Sequence, residues 1–227
     1  MPAALRVAAY YAPALDDPLW QAGCTWLGRD PETAAALTQP DVPGIAEATA
    51  EPRGYGFHAT LKPPFRLRGC YDWDDVMSAA QTVADRVTPF DLPPLKVADV
   101  KGFLALRECR ACPPLQALAD TCVTELDELR QPPEPDELAR RRRAPLTPEQ
   151  DALLIRWGYP YVFDSWFFHM TLTRRLGEDE RTIFTAAAAA HFDGLLDRAR
   201  RVADLCLFVQ PAPGADFTIA ERFALRG

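Results

Sequence analysis

The sequence predicts an α+β protein with two pseudo-symmetric lobes, each a small antiparallel sheet with helices on its outer face, enclosing a central cleft. Two observations point to this architecture. From residue 56 onward the predicted elements follow the order strand, helix, strand, strand, and the second half of the chain repeats that order. In addition, a five-residue segment of one strand recurs in the second half. The 227 residues suffice for one large domain or two small fused lobes.

The first lobe is predicted over residues 1–130. Residues 41–54 have the character of a loop, and Pro63 and Pro64 are expected to end the second strand because they cannot donate to a sheet ladder. Asp72 is suited to cap the clearest amphipathic helix. Apolar runs and turn signals predict strands at 5–11, 56–61, 95–100 and 103–107, and helices at 18–27, 72–87 and 114–129.

A segment rich in proline and arginine, residues 131–165, is expected to connect the lobes. It contains the run Arg140 to Arg143, which is typical of a solvated loop but could attract an anionic substrate if the run folds over the cleft. It also contains a short helix at 148–157 that Thr147 can cap. The second lobe is predicted over residues 166–227. Its expected elements are a strand at 167–172, an alanine-rich helix at 178–192, and strands at 201–209 and 217–225.

The composition favours a soluble globular protein that acts on small substrates. Lysine and arginine number 25 against 32 aspartate and glutamate, so the formal net charge is −7, which argues against a protein that wraps phosphate backbones. No stretch approaches the roughly 20 apolar residues that cross a bilayer, and the N-terminus has no cleavage pattern. The six scattered cysteines are expected to be reduced thiols. We therefore predict a cytoplasmic protein without a membrane partner.

The repeated segment is the most informative feature. Residues 57–61 read Phe-His-Ala-Thr-Leu and residues 168–172 read Phe-His-Met-Thr-Leu, so they match at four of five positions. They contain two of only three histidines in the chain, and each lies on the first strand of its repeat. Chance is a poor explanation for this coincidence.

The alternation of side chains along a strand predicts what the repeated segment does. His58 and Thr60 share one face of their strand, as do His169 and Thr171, while the apolar positions pack against the helices. Two lobes face to face would thus enclose two imidazoles and two hydroxyls. One imidazole can accept a proton while the other donates one, which suits in-line displacement at phosphorus, with the hydroxyls donating to non-bridging oxygens. This scheme needs neither a metal nor a cofactor.

Further substrate-binding residues follow from the same geometry. If the first strand continues in register, Lys62 falls on the face of His58 and its ammonium can neutralise phosphate charge. In the second half Thr173 and Arg175 fall on the equivalent face. Tyr159 and Tyr161 precede the second motif strand, where they can stack on a base or sugar or belong to the core.

The two tetrads His-Ala-Thr-Leu (58–61) and His-Met-Thr-Leu (169–172) resemble the signature of the two-histidine (2H) phosphoesterase superfamily. Beyond them, residues 26–30, 56–65 and 157–162 look like a bacterial, DUF1045-like branch of that superfamily found among phosphonate-utilisation proteins. The likeness extends over most of the chain.

The resemblance implies a two-lobed α+β fold and metal-independent cyclic phosphodiesterase or related chemistry. By analogy, His58 and His169 would be the acid/base pair, and Thr60 and Thr171 would bind phosphate. The expected partner is a small phosphorylated substrate: a sugar or nucleotide cyclic phosphate, such as a ribose cyclic phosphate from phosphonate breakdown. Nucleic acid is expected only as a short RNA with a 2',3'-cyclic end, and RNA ligation is an alternative within the superfamily.

Other interpretations rest on other residues. The same cleft could hold a phosphorylated ligand or RNA end without chemistry. The spacing of Cys109 and Cys112 fits a redox or metal carrier, although two ordinary thiols at a strand end explain it better. His191 near a helix C-terminus is expected to be structural. No Gly-x-Ser-x-Gly, P-loop or Gly-x-Gly-x-x-Gly motif is present, which argues against serine hydrolases, nucleoside triphosphatases and dinucleotide oxidoreductases.

Overall fold

The structure is a computed structural model that describes residues 6–227 and confirms the α+β class. Residue 5, the predicted start of the first strand, lies outside the described residues. The strands are β1 (Arg6–Tyr11), β2 (Ala59–Phe65), β3 (Phe90–Leu92), β4 (Leu95–Val100), β5 (Phe103–Glu108), β6 (Met170–Arg175), β7 (Arg200–Val202), β8 (Asp204–Gln210) and β9 (Thr218–Ala224).

Eight α-helices and a 3₁₀ turn (Phe163–Ser165) lie within the described residues 6–227. The helices are α1 (Pro18–Leu27), α2 (Ile45–Ala48), α3 (Ala50–Tyr55), α4 (Trp73–Arg86), α5 (Pro113–Glu125), α6 (Pro135–Arg141), α7 (Pro148–Trp157) and α8 (Glu178–His191). Capping explains two predicted starts. Asp72 accepts from the backbone N–H groups of Asp74 and Asp75 at α4, and Thr147 accepts from Gln150 at α7.

Seven strands form one antiparallel sheet in the order β4-β5-β6-β2-β1-β8-β9, and β3 pairs with β7 separately. Each half of the chain therefore contributes strands that lie next to strands of the other half. The second-half strand β6 pairs with β5, and the second-half strand β8 pairs with β1. The segments 1–130 and 166–227, predicted as the two lobes of a single domain, thus contribute neighbouring strands to one sheet, because strand pairing joins residues that are distant in sequence.

The two motif strands, β2 and β6, meet at one point in the middle of the sheet. Strands β2 and β6 pair only at Ala59 and Met170, which are the first residues of the two strands. From this point the strands diverge in opposite directions. The residues just before and after it are those of the repeated motif.

Strand β2 continues through Pro63 and Pro64 to Phe65, so the prediction that the prolines end it was wrong. The reason lies in the pairing with β1, where Val7 lies opposite Phe65 and Ala9 opposite Lys62. Two proline residues therefore lie opposite the single residue between Val7 and Ala9. Such a bulge needs no regular ladder hydrogen bond from the prolines.

Three local predictions need correction. Residues 41–54, expected to be loop, contain α2 and most of α3. The connection 131–165 contains α6 in addition to the predicted α7. The expected strand over 201–209 is divided into β7 and β8, and β7 pairs with β3, which the sequence did not predict. No helix within residues 6–227 combines the length and the apolar character needed to cross a bilayer.

Helix α1 supports both motifs from the reverse face of the sheet. The Trp26 side chain is completely buried, and its indole N–H donates to the carbonyl of Leu172 at 3.0 Å. Gly23 lies directly against Phe57, since a Cβ at residue 23 would lie 2.2 Å from the phenyl ring. The helix therefore packs closely against the apolar residues that flank each histidine.

We expect Gly23→Ala to lower the free energy of unfolding by about 1–3 kcal/mol through overpacking against Phe57. The sign is informative, because alanine in a helix is ordinarily more stabilising than glycine by about 0.5–1 kcal/mol. Gly69→Ala is the matched control, since nothing lies within 4 Å of its Cβ position. Urea unfolding measures both variants, and equal stabilities would contradict the packing of α1 on Phe57.

Candidate active site

The register of β2 and β6 brings the two motifs together. With Ala59 opposite Met170 in an antiparallel pair, His58 lies across from Thr171 and Thr60 across from His169, on one face of the sheet. Each histidine therefore faces the threonine of the other motif. The two motifs are thus related by approximate two-fold symmetry about an axis that passes between the strands.

All four motif side chains line a single cavity of about 370 Å³, here called the central cavity. Aromatic and basic side chains complete its walls. The aromatic ones are Tyr10, Tyr55, Tyr159 and Phe217, and the basic ones are Arg6, Arg140 and Arg141. The cavity thus combines titratable, hydroxyl and cationic groups.

His58 is held by hydrogen bonds and stacking. Its Nδ1 lies 3.0 Å from the carbonyl oxygen of Gly56, and because a carbonyl can only accept, Nδ1 carries the proton. Its Nε2 then accepts from the hydroxyl of Thr60 at 3.2 Å. The ring of Tyr10 stacks on the imidazole with 3.6 Å between centroids and 13° between planes. These contacts fix both the tautomer and the orientation of the ring.

The position of the accepting carbonyl requires a glycine at residue 56. Its φ of 76° lies in the left-handed region, and a Cβ there would approach Pro31 to 2.8 Å. Gly56 ends α3 and turns the chain into the motif, so its backbone carbonyl lies beneath the imidazole of His58.

His169 repeats this arrangement. Its Nδ1 donates to the carbonyl of Phe167 at 3.1 Å, and this acceptor also lies two residues before the histidine. The imidazole lies against the rings of Phe167 and Phe103, with centroid distances of 4.7 and 5.9 Å. In both motifs, therefore, Nδ1 is bound to the backbone, and Nε2 is left for side chains or ligands on the cavity side; at His58 its partner is the hydroxyl of Thr60.

Burial controls the charge of both imidazoles. It lowers the pKa of His58 to about 3, against the opposing effect of the hydrogen bond to Gly56. Burial also lowers the pKa of His169, which the carbonyl of Phe167 opposes. Both rings are consequently neutral at pH 7 when the cavity holds no anion. The hydroxyl of Tyr55 stays protonated, since burial raises its pKa, and it can donate to a ligand.

Lys62 does not share the cavity face of His58 and Thr60. Tyr10 lies opposite Thr60 but Ala9 lies opposite Lys62, so Leu61 is an extra residue that forms a β-bulge. The bulge directs the buried Lys62 to α5, where Nζ donates to the carbonyl of Val123 at 3.0 Å and lies 3.4 Å from Asp127. The expectation that Lys62 shares the face of His58 and neutralises phosphate charge there assumed a continuous register. The bulge breaks that register.

The second-half residues lie beside the central cavity. Thr173 is buried, and its hydroxyl accepts from the backbone N–H of Leu104, so it belongs to the sheet rather than to a cavity. Arg175 and Tyr161 line an adjoining aromatic cavity of about 200 Å³ together with His169. Further walls of this aromatic cavity are Phe103, Tyr159, Trp166 and Phe167.

Sequence reasoning missed several residues of the central cavity. Tyr10 and Arg6 belong to β1 and could have been linked to His58 only through the pairing of distant strands. Arg140 and Arg141 belong to a run for which a solvated loop was the favoured expectation and a position over the cleft the alternative, and they line the cavity because α6 lies beside it. The run of four arginines was the available signal. Arg142, in contrast, forms an ion pair with Asp151 on α7.

The remaining candidates lie outside the central cavity. His191 ends α8, and its Nε2 lies 2.9 Å from the carbonyl of Ala22. Cys109 and Cys112 are free thiols near the start of α5, with Cys109 exposed. Across residues 6–227, no cluster of three or more histidine, cysteine, aspartate or glutamate side chains has the arrangement of a metal site.

Two solved structures align with nearly the whole chain. Escherichia coli LigT complexed with phosphate aligns with 99% of each chain, at 11% identity and a TM-score of 0.47. TT0787 of Thermus thermophilus aligns with 98% of each chain, at 14% identity and a TM-score of 0.49.

Two curated relatives are more similar in sequence, and each is named "Ribose 1,5-bisphosphate phosphokinase PhnN". The protein from Janthinobacterium sp. (strain Marseille) is 39% identical over 98% of this chain, and the protein from Laribacter hongkongensis (strain HLHK9) is 37% identical over 95%. The alignments cover 51% and 50% of those proteins, so the chain spans about half of their length.

A protein-family model matches residues 60–218, which include most of β2, all of β6 and the second motif. This match covers more than half of the chain. The protein therefore belongs to the family described as "Protein of unknown function (DUF1045)".

Proposed function

We propose that this protein is a metal-independent phosphoesterase of the two-histidine type that hydrolyses a cyclic phosphodiester of a small sugar or nucleotide. The observation that carries the proposal is the cavity itself. His58, His169, Thr60 and Thr171 line one space, and each imidazole is held through Nδ1 by a carbonyl two residues earlier. Two Nε2 atoms available to the same ligand are what a paired acid and base need.

In the proposed reaction, water attacks phosphorus while the Nε2 atom of one neutral histidine accepts its proton. The bond from phosphorus to one ring oxygen breaks, and the second histidine, protonated at Nε2, donates a proton to that oxygen. The product is an acyclic phosphate monoester. The first histidine gains a proton and the second loses one, so the total charge of the pair is unchanged. Exchange of protons with solvent then returns the proton to the second histidine.

The hydroxyls and arginines are suited to the phosphorane-like transition state. Thr171 and Tyr55 can donate to the non-bridging oxygens, and Arg6 and Arg140 add positive charge at the cavity wall. Thr60 can donate as well once its hydroxyl rotates from Nε2 of His58 to the ligand, which also frees that Nε2 atom. The bound phosphate anion also favours the charged form of an adjacent imidazole, opposing the effect of burial. Substrate binding would thus supply the acid that the empty cavity lacks.

The relatives favour a ribose phosphate as substrate. Their name assigns them ribose 1,5-bisphosphate, and a ribose cyclic phosphate is a chemically related compound. The chain contains no P-loop motif, so we attribute no phosphokinase activity to it. A ribose cyclic phosphate formed in phosphonate breakdown is our first candidate.

The aromatic cavity favours a second candidate. Its rings, which include Tyr161, Trp166 and Phe167, adjoin His169 and provide a surface on which a base can stack. A nucleoside 2',3'-cyclic phosphate, or the 2',3'-cyclic end of a short RNA, would use this surface. The acidic net charge disfavours long nucleic acids.

Replacing either cavity histidine should abolish most turnover. We expect His58→Ala and His169→Ala each to lower kcat by at least roughly a hundredfold, because each removes one proton-transfer step. The assay is a screen of ribose and nucleoside cyclic phosphates, with product phosphate monoester measured by ³¹P NMR, and with circular dichroism to verify folding.

His191→Gln is the matched control, since His191 lies outside the central cavity and should leave kcat unchanged. Near-normal kcat in either alanine variant would refute the two-histidine mechanism. Ligand binding that survives both replacements, with no product from any cyclic phosphate, would favour a binding module.

The lowered pKa values predict an acidic optimum for kcat/KM. The base must be neutral, and a lowered pKa keeps it neutral down to acidic pH. The acid must be protonated, and a lowered pKa removes its proton as the pH rises. Since burial lowers the pKa of both His58 and His169 below 6.5, kcat/KM should be highest below pH 6.5 and fall toward neutrality.

The descending limb should appear at a higher pH in kcat than in kcat/KM, because kcat reports the complex, in which the phosphate anion raises the pKa of the acid. Initial rates from pH 4 to 9 measure both profiles. An optimum of kcat/KM above pH 8 would contradict the buried, neutral state of the imidazoles.

A further inference from the structure

A second cavity of about 230 Å³ adjoins the central cavity and is here called the basic cavity. The two share walls formed by Arg6, Pro63, Pro64, Arg140 and Arg141. The two cavities are therefore neighbours that share their basic and proline side chains.

Positive charge dominates the walls of the basic cavity. Six basic side chains line it against two acidic ones, although the whole chain has a net charge of −7. The basic residues are Arg6, Lys62, Arg66, Arg130, Arg140 and Arg141, and the acidic ones are Glu134 and Glu137. This concentration of cations is opposite to the charge of the protein.

Part of this charge is already neutralised within the fold. Asp127 lies 3.4 Å from Nζ of Lys62 and 2.8 Å from Nε of Arg130, and it also pairs with Arg156. Arg141 pairs with Glu137 at 2.9 Å. These contacts account for the basic residues at the floor of the cavity and for one residue of α6.

Three cations remain at the wall. Among residues 6–227, Arg6, Arg66 and Arg140 form no ion pair with a carboxylate, and residues 1–5 contain no acidic side chain. Burial is the main cause that lowers the pKa of Arg6; the charges of Tyr10 and Glu137 oppose this effect, and those of Arg140 and Arg66 add to it. A bound anion would offset the cost of burying the guanidinium.

Arg6 is held in position for such an anion. Its Nε donates to Oε1 of Gln210 at 2.7 Å, and the Gln210 amide in turn donates to the carbonyl of Ala215 at 2.7 Å. The guanidinium also lies 5.3 Å from the centroid of the Phe217 ring. The two terminal nitrogens of Arg6 are thus oriented by a fixed Nε and can form the paired hydrogen bonds that phosphate oxygens favour.

We propose that the basic cavity binds a second phosphate, a terminal phosphate monoester on the same molecule whose cyclic phosphodiester occupies the central cavity. The substrate class is therefore a cyclic phosphodiester of a small sugar that carries a terminal phosphate as well. This inference rests on the proposed function, from which the central cavity takes its ligand. A monoester dianion matches three unpaired arginines better than a single negative charge does.

The test compares ribose 1,2-cyclic phosphate with the same compound phosphorylated at the 5-position. We expect the 5-phosphate to raise kcat/KM of the wild-type protein by roughly tenfold or more, as charged hydrogen bonds of this kind do. Arg66→Gln should reduce that preference severalfold, since exposed Arg66 lines only the basic cavity and its replacement should not disturb folding. Arg143 ends the run that begins at Arg140 but lies outside both cavities, so Arg143→Gln should leave the preference for the 5-phosphorylated compound unchanged.

The preference is the ratio of kcat/KM for the 5-phosphorylated compound to kcat/KM for ribose 1,2-cyclic phosphate. A ratio near one in the wild-type protein, or an equal ratio in the wild-type and Arg66→Gln proteins, would overturn the proposal. So would a 2',3'-cyclic oligoribonucleotide that is hydrolysed more efficiently than the 5-phosphorylated sugar, because the basic cavity would then serve a polynucleotide.

A binding measurement separates this proposal from the reaction chemistry. Calorimetry with ribose 5-phosphate on the His58→Ala/His169→Ala protein should detect binding that Arg66→Gln weakens and Arg143→Gln does not. Absence of binding would overturn the phosphate site even if cyclic phosphates are hydrolysed. Retained binding in a protein that hydrolyses no cyclic phosphate would refute the proposed function while supporting the phosphate site.

Discussion

The geometry of the candidate site depends on the single pairing of Ala59 with Met170. Because β2 and β6 overlap only at their first residues, the two motifs face each other there and the strands then diverge. Diverging strands leave room for a cavity on one face, while α1 fills the reverse face beneath Phe57 and Leu172. A longer overlap would bring two regular strands together and close the space between them, so the limited pairing is what lets a continuous sheet hold a pair of imidazoles at its centre.

The cavity keeps its histidines in an environment that opposes their charge. Stacking on Tyr10 and contact with Phe103 and Phe167 remove water from the rings, which disfavours the imidazolium form. The backbone carbonyls of Gly56 and Phe167 offset part of this effect and engage only Nδ1, so that Nε2 stays on the cavity side of each ring. Such a site discriminates by charge, since an anion lowers the free energy of the protonated imidazole and a neutral molecule of the same shape does not.

Patterns among neighbouring residues predicted the helices, the strands and the repeated motif well. They could not predict which distant strands pair with each other. The caps of Asp72 and Thr147, the strand alternation and the repeated motif follow from residues that are close in sequence, and the structure has the corresponding elements. The bulge at Leu61 depends on how β1 aligns with β2, so the face occupied by Lys62 could not be predicted from β2 alone. The pairing of strands between the halves and the position of α6 have the same origin, since both arise from contacts between distant segments.

The pairing of β1 with β8 has a consequence for how the protein is made. Arg6 lies opposite Gln210, so the first described strand of the chain is joined to one that leaves the ribosome only after some two hundred further residues. Until then one edge of β1 has no neighbouring strand. The nascent chain therefore exposes an unpaired, apolar strand with which other polypeptides can form β-sheet hydrogen bonds. Such a high sequence separation also slows folding. Completion of the sheet around His58 is therefore a late event that needs the hairpin of β8 and β9.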